Sequence, residues 1–225
     1  MPRVPRSGHA DARGARRHGP WYSERVQVDA AFLPLLSPFD LGELDRRGDT
    51  AFAVSGSLRL AYHNAAWDRF ARENGAPWSP GAWGIGASIV EAIPEVLRPF
   101  YDQLFARARN EGAPVDHDYE CSTPEAIRKL RMRVYPLPRE GWLVVSSFVS
   151  EQPTPPVHPA SAAIYRTEHG LIVMCAHCRR VRRTDASAGE TWDWVPGWVA
   201  RPPAETSHGL CSPCVDHHYP RRGAG

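Results

Sequence analysis

Nothing in these 225 residues approaches the length of a membrane-spanning run. The Arg- and Pro-rich first twenty residues also lack the apolar stretch of a secretory signal. A soluble, cytoplasmic protein with no membrane partner is therefore expected. Charge of one sign is lacking too: a net charge of +2 excludes the chain as a whole from electrostatic nucleic-acid binding. There is no phosphate loop, no nucleophile elbow and no open metal site with a positioned carboxylate, so an enzyme is not expected. Cysteine is scarce, with five in the chain, yet four of the five fall into two pairs.

Those pairs, Cys175-Ala-His-Cys178 and Cys211-Ser-Pro-Cys214, are separated by 32 residues. A C-x-x-C turn lets two thiolates face one ion, and two such turns complete the sulfur tetrahedron that zinc prefers. The apolar run Leu171-Ile172-Val173-Met174 before the first pair reads as a strand ending in a metal knuckle. Two redox dithiols or two disulfides are the alternatives. Zinc is favoured because a small Cys-rich module in a reducing cell is more often a metal site than a disulfide scaffold. Four protein sulfurs leave no position for substrate, so the metal's role is read as structural. His208, beside the second pair, is the alternative ligand. His177 lies inside the first knuckle and is expected to face outward, and His217 and His218 read as surface.

Composition divides the chain into four blocks. Residues 1–45 form a flexible Arg/Pro-rich segment with a short apolar patch from Phe32 to Leu36. Residues 46–150 form an α+β domain, residues 151–162 a Pro-rich linker, and residues 163–221 a Cys-rich module expected to be zinc-ribbon-like. In the second block, Thr50–Val54 and Leu58–His63 read as strands. Asn64 caps a helix over Ala65–Glu73, which Asn74-Gly75 stops. A helical turn at Ile89–Ala92 and a long helix from Pro94 to Asn110, ended by Gly112, come next. Val115–Cys121, Ile127–Leu137 and Trp142–Val149 read as strands joined by hairpins. The sum is a five-stranded antiparallel sheet with helices on one face.

That order of elements resembles a PAS domain. The segment Leu60-Ala61-Tyr62-His63-Asn64-Ala65-Ala66-Trp67-Asp68-Arg69-Phe70-Ala71-Arg72-Glu73-Asn74-Gly75 looks like the second strand and first helix of bacterial PAS sensors. Tyr119-Glu120-Cys121-Ser122-Thr123-Pro124 and Arg131-Met132-Arg133-Val134-Tyr135-Pro136-Leu137 look like their later strands. The run Met174 to Arg182, with Ser207 to Cys214, is similar to a cysteine-rich tail that follows PAS domains in bacterial signalling proteins. The resemblance implies a sensory or interaction module that binds a small molecule between sheet and helices, or that dimerises. It implies a homodimer or a protein partner, and no output domain is visible beyond the tail. The patch Phe32–Leu36 is placed either on the folded body or at a dimer contact.

Known PAS cofactors find no matching residues. A flavin photosensor needs a reactive cysteine in an Asn-Cys-Arg-Phe-Leu-Gln setting, and Cys121 reads instead as an inert buried thiol. A haem sensor needs an axial histidine on the long helix, which has none, while His63 and His117 read as half-exposed sheet residues. Trp67, Phe70, Trp83, Ile89, Leu97, Phe100, Met132 and Leu143 read as core. Asp116, Asp118 and Glu120 share one strand face, expected to be exposed. Trp192 and Trp194, at strand spacing, are expected in the small core of the Cys-rich module. Arg179, Arg180, Arg182 and Arg183 supply the competing reading, a zinc-dependent regulator that clamps nucleic-acid phosphates.

Overall fold

The computed structural model describes residues 27–73, 84–138, 141–154, 162–185 and 190–220. The basic head, the Asn74-Gly75 stop, Trp83 and most of the linker lie outside the described residues. In chain order the elements begin with β1 (Gln27–Val28), a 3-10 turn (Leu33–Leu36) and α1 (Leu41–Arg46). β2 (Thr50–Ser55), β3 (Leu60–His63) and α2 (Ala65–Glu73) follow. Two 3-10 turns, Ile89–Ala92 and Glu95–Leu97, lead into α3 (Arg98–Glu111). Three strands complete this part: β4 (Val115–Glu120), β5 (Ala126–Leu137) and β6 (Gly141–Pro153).

Local chemistry explains most of these limits. Asn64 is fully buried and satisfies four backbone groups at once. Its Oδ1 accepts from Ala51 N (3.0 Å) and Trp67 N (3.0 Å), while Nδ2 donates to the carbonyls of Leu44 (3.0 Å) and Asp49 (2.8 Å). One side chain thus caps α2 and ties it to β2 and to the end of α1. The long helix begins later than expected. Pro94 precedes a 3-10 turn instead of opening the α-helix, and Pro99 occupies the first turn of α3. Gly112 ends α3 in the left-handed region, with φ of 60°.

The sheet is wholly antiparallel, in the order β1-β3-β2-β6-β5-β4, and has six strands where the sequence suggested five. The additional strand, β1, pairs Gln27 with His63 and covers the edge of β3. Two residues are too few to show a period of two, so no pattern marks it. β1 and α1, which begin before residue 46, thus belong to the described fold. The linker also starts later, because β6 runs to Pro153, which pairs with Ala126. β2 ends its pairing with β6 at Ser146, so the last stretch of β6 is an edge, where proline is tolerated.

Both faces of the sheet are covered. Phe52, Val54, Met132, Val134, Trp142 and Val144 meet Phe100, Leu104, Phe105 and Ala108 of α3. The other parity, Ala51, Ala53, Leu143 and Val145, meets Phe32, Leu36 and Leu41. Helical structure therefore lies on both faces, and Leu143 belongs to the second core. Phe32 approaches so closely that a Cβ on Gly141 would stand 2.7 Å from its ring. Phe32 and Leu36 are thus used inside the chain.

A second, smaller sheet forms the carboxy-terminal module. A 3-10 turn (Ala162–Tyr165) precedes β7 (Ile172–Cys175), β8 (Val181–Arg182), β9 (Trp192–Asp193), α4 (Pro196–Ala200), β10 (Thr206–Gly209) and α5 (Ser212–His218). The strand order is β10-β7-β8-β9, with β10 parallel to β7. The long insert between the cysteine pairs has structure of its own, β8, β9 and α4, the length a parallel return needs. The module's apolar core is small, built from Tyr165, Ile172, Met174 and Val181 with Trp198 packed against them. Trp194 is buried, and Trp192 lies against the cysteines.

Candidate metal centre and its docking on the sheet

β7 delivers Cys175 to a tight turn that carries Cys178. Cys175 N donates to Arg180 O (2.8 Å), Arg179 N donates back to Cys175 O (3.0 Å), and Arg179 takes a φ of 62°. The second pair straddles the start of α5, with Cys211 at its N-cap and Cys214 N bonded to Cys211 O (2.9 Å). Parallel pairing of Gly209 with Cys175 brings the two turns together, and Cys211 N reaches Cys175 Sγ at 3.5 Å. All four cysteines are buried, none is in a disulfide, and their sulfurs lie within 4.8 Å of one another.

The spacing fits a metal. Cys178 Sγ and Cys211 Sγ are 3.7 Å apart, against an edge of about 3.8 Å for a tetrahedron of roughly 2.3 Å zinc–sulfur bonds. The electrostatics fit as well. Hydrogen bonds from Cys178 and then Cys214 hold the Cys175 thiol far below its usual range. The same crowding pushes Cys178 up to about 12 and Cys214 far above its usual range. A dication among them would stabilise all four as thiolates. His208 is exposed on β10 and is not part of the cluster.

The module is not a separate bead on a linker. It sits against β4, an outer strand of the large sheet, through histidines expected at the surface. Glu120 N donates to His177 Nε2 at 2.9 Å, and His217 Nε2 donates to Asp118 O at 2.6 Å. Both backbone groups belong to the outward edge of β4. Tyr219 Oη donates to Val96 O at 3.1 Å, and Arg180 pairs with Glu120 at 3.4 Å. His218 is buried with its ring centroid 4.6 Å from Phe100, and His117 lies 4.4 Å from the same ring. The imidazoles of His117, His177, His217 and His218 therefore gather at one seam.

Three of these rings, His117, His177 and His218, are held below the ordinary imidazole range. Burial, then repulsion from His217 and His177, pushes His117 down to about 4. Burial and the neighbouring imidazoles push His218 down to about 3. Burial also lowers His177. The knuckle sequence showed where His177 lies along the chain but not which other element the knuckle faces, so the seam was missed. A cleft of about 660 Å³ opens between the module and β4–β5; Lys129, Trp192 and His217 line it, with Cys178, Cys211 and Cys214 at its floor.

A second cavity, of about 180 Å³, lies between the sheet and the helices. Phe52, Leu60, Trp67, Ile89, Phe105 and Met132 line it, and Thr50, Tyr119 and Ser146 add polar groups. Burial pushes Tyr101, also on its wall, up to about 12. Burial likewise raises the Cys121 thiol, consistent with an unreactive group. His63 is buried, not half-exposed, with Nδ1 3.3 Å from Asp68. Asp116 and Asp118 form bidentate pairs with Arg133 and Arg131, an exposed ladder and not an acid/base pair. Within the arginine run, Arg180 is engaged by Glu120, and Arg183 by Asp185 and Asp193.

No protein-family profile and no curated protein matches this chain. Among solved structures it is similar to the photoactive yellow protein domain from the sensor histidine kinase Ppr of Rhodospirillum centenum. The identity is 17% and the TM-score 0.37, over 51% of this chain and 97% of that domain. No described helix is long and apolar enough to cross a membrane.

Proposed function

We propose that this chain is a PAS-type sensory or interaction module whose four paired cysteines hold one structural zinc ion. It acts in signal transduction through a protein partner or a second copy of itself. The observation that carries the reading is the set of four buried sulfurs within 4.8 Å, docked on the edge of an antiparallel sheet. An all-sulfur donor set suits zinc, and four protein ligands leave no open position, so the ion's contribution is to the fold and not to a reaction. Cys175, Cys178, Cys211 and Cys214 would hold it. The PAS part of the reading is supported by the order strand, strand, helices, long helix and three antiparallel strands, on which the sequence resemblance stands.

The cavity between sheet and helices lies where that resemblance puts a ligand. At about 180 Å³ it suits a small, largely apolar, neutral molecule of benzene to indole size. Native mass spectrometry of the full chain purified from cells tests the whole reading, because metal, small molecule and stoichiometry appear in one spectrum. One zinc per chain, in a homodimer or with a bound protein, is expected. A metal-free chain, or one carrying iron, would contradict the zinc assignment, and a strict monomer with no protein bound would contradict the partner.

A further inference from the structure

We propose that His177 is the link through which the metal centre holds the module on the sheet, so that the module caps strand β4 only while the centre is assembled. This deepens the metal reading and stands on it. The argument comes from two hydrogen bonds on one ring. Glu120 N–H can only donate, so His177 Nε2, 2.9 Å away, must carry a lone pair. The neutral ring then has its proton on Nδ1, which lies 3.2 Å from Cys214 Sγ. The sulfur is therefore the acceptor, and a metal-bound thiolate is a strong, charge-assisted one. One imidazole thus joins a candidate ligand to an edge-strand amide, and the sulfur fixes the tautomer that the amide needs.

What the link protects is an exposed strand edge. β4 is the last strand in the order and would otherwise present unpaired backbone groups, which native sheets cover. His217 adds a second bond to the same edge, at Asp118 O, from α5, the helix that Cys211 and Cys214 begin. Both contacts thus depend on elements that the four cysteines organise. Without an ion, only the β10–β7 pairing and a small apolar core hold the two cysteine turns together. Cys214 and α5 then move, His177 loses its acceptor, and His217 loses its placement.

Nitrogen-15 NMR of the histidines and amide exchange at Glu120, both on the full zinc-loaded chain, test this. The wild-type protein should show His177 as the neutral tautomer protonated on Nδ1. Chelation should then raise Glu120 exchange by roughly tenfold or more. His177→Ala should keep one zinc per chain yet show the faster Glu120 exchange before any chelator is added. A wild-type His177 protonated on Nε2 would overturn the proposal without any variant. So would Glu120 protection unchanged in a zinc-loaded His177→Ala, or unchanged on chelation of the wild type. A wild-type chain that contains no metal would instead sink the underlying metal reading, which separates the two failures.

Discussion

The two sheets of this molecule are held in opposite ways. The large one has apolar residues on both parities of its central strands, with a helix on one face and the segment from Phe32 to Leu41 on the other. At about 1.5–3 kcal/mol for each fully buried aliphatic or aromatic side chain, such a body needs no other fastening. The small sheet has a core cluster of four buried residues, Tyr165, Ile172, Met174 and Val181, and, beside them, four cysteines. A module of that size buries too little surface to stand alone. The comparison teaches that apolar residues make the first region a fold, while the second, on the zinc reading proposed above, needs its ligand set as well.

Removing one sulfur should separate the two regions most sharply. Structural zinc contributes on the order of 10 kcal/mol to small domains. Cys211→Ser should therefore release the metal and open the module. Limited trypsin digestion, which would then cut within Arg179–Arg183, should leave a resistant fragment containing β1 to β6. An intact, protease-resistant module in the variant would break the comparison. The reciprocal change is Leu143→Ala, in the second core of the large sheet. It should cost about 2–5 kcal/mol in urea unfolding of that sheet while leaving the zinc content at one per chain.

The seam between the regions should respond to acid. His117 and His218 have folded values near 4 and 3, below the ordinary 6.5, so they take up protons more readily once the seam opens. Their neutral burial is fully compatible with docking above pH 6.5, and docking weakens as pH falls from there towards 4. In an NMR titration both rings should still be neutral at pH 6, with His218→Phe reducing the acid sensitivity. Titration of both near 6.5 would mean that the seam is open in solution. The smallest effect is expected on the exposed ladder. Arg131→Ala should change stability by less than about 1 kcal/mol, because its pair with Asp118 faces water.

The parts of the structure legible in the sequence are those with a local cause. Ala65–Glu73 was marked by its Asn64 cap, the end of α3 by Gly112, and the cysteine cluster by the spacing of its members. The parts that were not legible depend on what a segment meets. β1 is too short to show alternation and exists because β3 has a free edge. His177, His217 and His218 read as surface because nothing near them in sequence announces β4 or Phe100. Pro153 read as part of the linker from residue 151, although it lies on a stretch of strand with only one neighbour. Patterning reports an element's own periodicity, and docking is a property of two elements.

Amide exchange across the full zinc-loaded chain, before and after chelation, tests the central claim most directly. The account predicts that Val173, Met174 and Val181 lose their protection when the metal is withdrawn, while Ala53, Leu143 and Val144 keep theirs. Loss of protection in both groups together, or in neither, would contradict it.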